Sequence, residues 1–282
     1  MRCAKNGKRV VRDKRKFNGY IRKAVKNINK NAIVIGEVWE DASNKISYGV
    51  RREYFQGKEL DSVMNYPLKN AILDFVCSGN ADNLCNVINE QIDHYPSFVL
   101  DSLMNILSTH DTCRLVSSLS GIDVSNMTKS QMEKVVIDGK RLEDAKFRLK
   151  CATLLQFLLR GVPSVYYGDE IGMQGFIDPL NRRCFAWDNI DEELLAWYKK
   201  LAQIRKSYSA FVSGEYSTVY KNEGIIIFTR KDENSQLLVC INVGEKDYNL
   251  SFDGKLKNLI NDKEYLNNLT LNGKSFGVFI NE

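Results

Sequence analysis

The stretch AIVIGEVWED, residues 32–41, decides how the rest of the chain is read. Four apolar residues and a glycine run directly into a carboxylate, a tryptophan and two further acids. A strand covered on both faces reads as a short continuous apolar run. Residues 32–36 are therefore expected to form a central parallel strand with Glu37 at its C-terminal end.

The same order recurs on either side. Upstream, Ile21, Ala24, Val25 and Ile28 fall at helical spacing. Downstream, DSVMNYP (61–67) reads as a strand at Ser62 to Met64, with Pro67 in the first turn of a helix that continues over 67–77 and 81–93. LMNILSTHD (103–111) is a third apolar run, ending in His110 and Asp111. EDAKFRLKCATLLQFLLR (143–160) reads as a helix that stops at Gly161 and Pro163, and PSVYYGDEIG (163–172) as a strand ending in Asp169 and Glu170. A last helix is expected over 191–206. Strands alternating with helices predict parallel βαβ units and an α/β fold.

Past residue 210 the texture changes to short apolar runs broken by turn residues. IIIFTR (225–230) and LLVCIN (237–242) read as a hairpin, and residues 210–282 as a small antiparallel β-sandwich domain.

With 282 residues and an apolar fraction of 44%, the chain can bury an ordinary globular core. No apolar run approaches the roughly eighteen residues of a membrane span, and no signal-peptide pattern is seen, so a soluble cytoplasmic protein is expected. Seven cysteines without a C-x-x-C pair fit reduced, structural thiols. The net charge of +5 traces to residues 1–16, which hold eight of the 40 basic residues and one of the 35 acids. The remainder has 32 bases against 34 acids, a net of −2. Such a run reads as a solvated tail; without interleaved aromatics it does not argue for nucleic acid.

Three of the four strands end in acids, and in a (β/α) barrel all C-terminal strand ends converge on the active-site face. Glu37, Asp111 and Asp169 could meet there. Carboxylates about 5–5.5 Å apart are what retaining glycoside hydrolysis requires. Trp39, Tyr48, Tyr66, Tyr166 and Tyr167 could stack on sugar faces, although each taken alone is more often a packing residue. Any one acid at a strand end is more often a helix N-cap, so the coincidence of three is what counts. His110-Asp111 is also a weak metal-phosphohydrolase signal, but His94 is the one other histidine, too few for a usual metal cluster. No metal ligands are assigned.

At these residues the sequence resembles the α-amylase family, glycoside hydrolase family 13, and within it the neopullulanase and cyclomaltodextrinase branch. The stretches that carry the resemblance are IVIGEVWEDASN, ELDSVMNYPLKNAI, LMNILSTHDTCRL, GVPSVYYGDEIGMQGFIDPLNRRCFAWD and the helix around LLAWYKKLAQIRK, from about Phe17 to the C-terminus. It implies retaining cleavage of α-1,4 or α-1,6 glucosidic bonds in maltooligosaccharides, cyclodextrins or pullulan. Glu37 then matches the general acid/base and Asp111 the transition-state stabiliser. His110, Trp39, Asp178 and Arg182 match sugar-binding positions, and Asp169 and Glu170 look structural. No cofactor is implied. A structural calcium belongs to the complete family fold, whose usual N-terminal ligands are absent here.

The resemblance also shows a gap. The family's nucleophile is an aspartate in a G-x-R-x-D motif roughly thirty residues before the GEVW glutamate, which falls near Lys8, where no carboxylate stands. Asp13 is the nearest acid. The chain is thus expected to be the second half of a TIM (β/α)8 barrel, strands five to eight, over residues 17–209, followed by the β domain. Strands five and eight would have open edges. Such a chain is expected to be inactive alone unless an N-terminal half, or a second copy, completes it. A non-catalytic carbohydrate-binding remnant is the main alternative, and a metal-dependent phosphohydrolase a remote one.

Overall fold

The computed structural model describes residues 14–47 and 49–281. Helix α1 (Lys14–Ile28) begins inside the stretch read as a tail, while Asp13 and the residues before it lie outside the described residues. There follow β1 (Ile35–Gly36), β2 (Ser62–Val63), α2 (Tyr66–Ser78), α3 (Ala81–His94), β3 (Met104–Asn105), α4 (Gly139–Leu158), β4 (Val162–Pro163) and α5 (Glu192–Ser207).

The four strands are parallel and stand in sequence order. Ile35 pairs with Ser62 and Met104 with Val162, and a parallel bridge between Met64 and Met104 joins the two pairs. With so few ladder bonds, buried amides take over the stitching. Asn65 Nδ2 donates to Gln91 Oε1 (3.2 Å) and Asn105 Oδ1 (3.0 Å). Gln156 Nε2 donates to the carbonyls of Asn105 (3.0 Å) and Ser164 (2.9 Å). Asn65 also caps α2, accepting from Leu68 N, and Pro67 occupies the helix's first turn as expected.

The strand at 32–36 is not covered on both faces. Ile33 is 57% and Ile35 42% exposed, whereas Ser62 and Val63 on the neighbouring strand are buried. Among the described residues β1 is an edge strand. Helix α1 shares this exposure: Phe17, Tyr20, Ile21 and Ile28 recur at helical spacing on a face that meets solvent. Its other side is tied down by Arg22 (2.6 Å) and Lys26 (3.0 Å) to Asp61, whose Oδ2 also accepts from Val34 N (2.8 Å).

Six strands complete the chain: β5 (Glu215–Asn222), β6 (Ile225–Lys231), β7 (Gln236–Asn242), β8 (Tyr248–Asn258), β9 (Glu264–Leu271) and β10 (Ser275–Asn281). The expected hairpin is β6–β7. The expectation of a β-sandwich is corrected: hydrogen bonds join all six into one antiparallel sheet, in the order β9-β8-β10-β7-β6-β5. The sheet curls. Three strand spacings would put β9 about 14 Å from β7, yet the two approach within 8 Å, and Asn242 Nδ2 reaches the Leu271 carbonyl at 3.4 Å. Curling encloses a small core of Ile225, Ile227, Cys240, Leu269 and Phe279.

The opposite face of the sheet, through Ile226, Phe228, Val239 and Ile241, shares the main core with Leu149, Leu154, Trp197 and Leu201 of α4 and α5. At the rim of this contact three glycines meet. Gly224 N donates to the Gly79 carbonyl and Val243 N to the Gly224 carbonyl, both at 2.8 Å. A Cβ on Gly79 would lie 3.0 Å from Gly224 N, and one on Gly224 3.0 Å from Gly244 N. Gly79 and Gly224 also hold φ of +82° and +76°, where a side chain is strained. Among the described residues no helix is long and apolar enough to cross a membrane.

Candidate active site

Parallel strands present their C-terminal ends on one face, and three segments bring polar groups there. After β1, Glu37 extends into solvent with Oε1 accepting from Trp39 Nε1 (3.0 Å) and the Tyr66 hydroxyl (3.3 Å). The indole of Trp39 stacks on the Tyr66 ring, centroids 4.0 Å apart and planes 15° from parallel. Two donors on one oxygen fix the carboxyl plane and leave Oε2 without a donor from either ring.

Beyond β3, residues 109–112 form a tight turn, with Thr109 N donating to Thr112 Oγ1 (2.8 Å) and Asp111 N to Thr109 Oγ1 (3.1 Å). His110 Nε2 lies 3.3 Å from Asp111 Oδ2, and Arg182 Nη2 3.0 Å from Asp111 Oδ1. Arg182 Nε also meets Asp178 Oδ1 at 2.9 Å, so one guanidinium bridges two carboxylates. Tyr66 senses both sides of the site: burial raises its phenol above the ordinary range, and the Glu37 and Asp111 charges push the same way, while Thr109 opposes them.

Asp169 stands apart from these exposed groups. Its buried carboxylate accepts from Ser108 Oγ and from Leu115 N (3.2 Å), which caps the short helix Leu115–Leu119 from another part of the chain. Burial pushes its pKa up to about 7 against those hydrogen bonds and the Arg114 charge. The expectation that it could join Glu37 and Asp111 gives way to the structural role. Tyr166 and Tyr167 are also engaged: the fully buried Arg114 guanidinium lies 4.8 Å and 4.6 Å from their ring centroids. Tyr48 lies outside the described residues. His94 pairs with Asp41 (2.8 Å) at the end of α3. Among the described residues no three His, Cys, Asp or Glu side chains gather as a metal ion would need.

Two residues escaped the sequence reading. Arg114 lies three positions past Asp111, and Asn181 lies within DPLNRR; both are fully buried and polar. In sequence they look like any surface polar residue, and only their nearness to the motifs marks them.

Comparison with known proteins gives a consistent result. The alpha amylase catalytic-domain family matches residues 5–189, a match that starts inside the stretch read as a tail. A cyclomaltodextrinase from Bacillus sp is 31% identical over 227 residues, covering 78% of this chain and 35% of the relative. An amylopullulanase from Thermoanaerobacter thermohydrosulfuricus is 33% identical over 230 residues, covering 77% of this chain and 14% of the relative. The chain therefore spans about a third or less of these curated relatives. In fold it is similar to the type III pullulan hydrolase from Thermococcus kodakarensis, with a TM-score of 0.76 at 24% identity, covering 96% of this chain and 43% of the other. With the family match spanning most of the chain and carrying both Glu37 and Asp111, the protein belongs to the α-amylase family of glycoside hydrolases.

Proposed function

We propose that the chain carries the acid half of an α-glucan-cleaving centre. Glu37 donates the proton to the leaving glucosidic oxygen, and Asp111 stabilises the positive charge that develops on the sugar ring. His110, Trp39, Asp178 and Arg182 contact the glucan, a maltooligosaccharide, cyclodextrin or pullulan. The observation that carries this reading is Glu37 at the end of β1 with Oε1 held by two ring donors, which presents Oε2 to a substrate. The free cysteines among the described residues suit a reducing, cytoplasmic setting.

Retaining hydrolysis needs a second carboxylate to attack the anomeric carbon as Glu37 protonates the leaving oxygen; water then displaces the sugar with Glu37 as base. The place for it follows from β1's open edge. A strand paired there would lie about 4.8 Å away, so a carboxylate at its end would approach the roughly 5–5.5 Å separation that retention demands. We read the four parallel strands as strands five to eight of a barrel whose other half supplies that carboxylate. A second copy suits the seams less well: α1 precedes the first strand and α5 follows the last. One helix per strand fills a (β/α)8 ring, so two copies would bring two helices to each seam.

The isolated chain should release almost no reducing sugar from maltooligosaccharides or cyclodextrins. Co-expression with a fragment carrying strands one to four and a G-x-R-x-D aspartate should restore turnover, and Glu37→Gln in the complex should abolish it. Robust turnover by the isolated chain would overturn the assignment and make Asp13 the first acid to test. Binding without turnover even in the complex would favour the carbohydrate-binding remnant.

A further inference from the structure

The turn that carries His110 and Asp111 does not hold itself in place. Its own hydrogen bonds are local, from Thr109 to Thr112, and His110 and Asp111 are both exposed. Two of its carbonyls are instead gripped from the other side of the site. Asn181 Nδ2 donates to the His110 carbonyl at 2.8 Å and to the Thr112 carbonyl at 2.7 Å, while Arg182 Nε adds a 2.9 Å bond to the same His110 carbonyl. Asn181 has no solvent exposure, so water cannot substitute for its amide.

Asn181 is itself anchored. Its carbonyl accepts from the Tyr166 hydroxyl (3.3 Å). Its backbone presses on Gly175, where any Cβ would overlap the Leu180 carbonyl and lie 3.0 Å from Asn181 Cα. Gly175 is held in turn by the helix that follows the turn: its N–H donates to Ser117 Oγ and its carbonyl accepts from Arg114 N, each at 2.9 Å. The path from Ser117 through Gly175 and Asn181 back to His110 closes a loop of buried contacts around the turn.

We propose that Asn181 is a positioning residue: its two amide donors hold residues 109–112 in the shape that presents His110 and Asp111. The consequence for sugar binding rests on the functional reading above, whereas the clamp itself does not. It touches no substrate, and Arg182, which does stand at the site, is the minor partner because it is exposed.

The test uses the full chain with Asn181→Ala and Asn181→Asp. Asp is nearly isosteric but has no donors and sets a carboxylate against two carbonyl oxygens, so a clamp makes it no better than Ala, whereas a space-filling role makes it resemble the wild type. Amide hydrogen exchange should quicken at least tenfold in peptides spanning 106–114 in both variants, with the exchange of β6 and β7 unchanged. Maltoheptaose affinity by calorimetry should fall fivefold or more. Wild-type exchange in Asn181→Asp would overturn the proposal; so would loss of protection throughout both variants, which would make Asn181 a folding residue. If the wild type binds no maltoheptaose, the functional reading falls, and the exchange data still decide the clamp.

Discussion

At the scale of single residues, the side chains around Glu37 define what it can do. Trp39 contributes both a hydrogen bond to Glu37 and a stacked face over Tyr66, so Trp39→Ala removes a donor together with the ring proposed above to contact the glucan. An aromatic contact worth about 1 kcal/mol corresponds to roughly fivefold in affinity, and titration calorimetry with maltoheptaose should register at least that loss. Asp169 gives a different prediction. Its folded pKa near 7 lies above the 3.8 of a free carboxyl, so between these values the native state holds a proton that the unfolded chain has released. The stability this contributes is complete below the unfolded value and is lost as pH rises through about 7. Unfolding free energies from urea titrations of the wild type should therefore fall between about pH 4 and 7, by on the order of 1 kcal/mol per pH unit, and Asp169→Asn should flatten the profile. The motif stretches made Glu37, His110, Asp111 and Arg182 legible as candidates. They could not reveal that Arg182 bridges Asp111 and Asp178, because that pairing depends on how two distant loops fold together.

At the scale of elements, helices were more legible than strands. The helices at 66–78, 81–94 and 192–207 lie within a residue or two of expectation, since capping and apolar spacing are local signals. The apolar run at 163–172 reads as a long strand, yet only Val162–Pro163 pairs, and the remainder turns to wrap Arg114. Strand β9, EYLNNLTL, gives no signal as clear as the hairpin's, because its two asparagines break the apolar run. With strands this short, the buried amides carry much of the register. Asn65→Ala would remove the cap of α2 and leave Gln91 and Asn105 short of partners, a cost of about 1–3 kcal/mol. That corresponds to a melting temperature lower by several degrees, about 2–4 °C for each kcal/mol in a chain of this size, measurable by circular dichroism.

At the scale of the molecule, the uncovered side is the dominant fact. Phe17, Tyr20, Ile21, Ile28, Ile33 and Ile35 form an apolar surface beside a strand edge, a combination that invites association. Tyr20→Lys with Ile28→Lys should lower light scattering of the concentrated chain without moving its urea midpoint, because Ile28 is 90% exposed and loses no packing. Unchanged scattering would show that this surface does not drive association. The sequence marked the parallel-strand pattern. It did not mark the exposure, because a run such as AIVIG looks the same whether or not a neighbour covers it.

The three glycines at the rim of the sheet carry a mechanical implication. Where backbones touch without intervening side chains, a single methyl acts as a wedge. Alanine at Gly79 would drive its Cβ toward Gly224 N and prise the rim of the sheet away from the end of α2. Strands of seven residues span about 23 Å, so a small tilt at this fulcrum is magnified at their far ends. There Arg230 Nη1, at the end of β6, donates to the Leu158 carbonyl at 2.6 Å, where α4 stops just short of β4. The sheet is thus a lever whose pivot is glycine and whose load is the last strand of the parallel set.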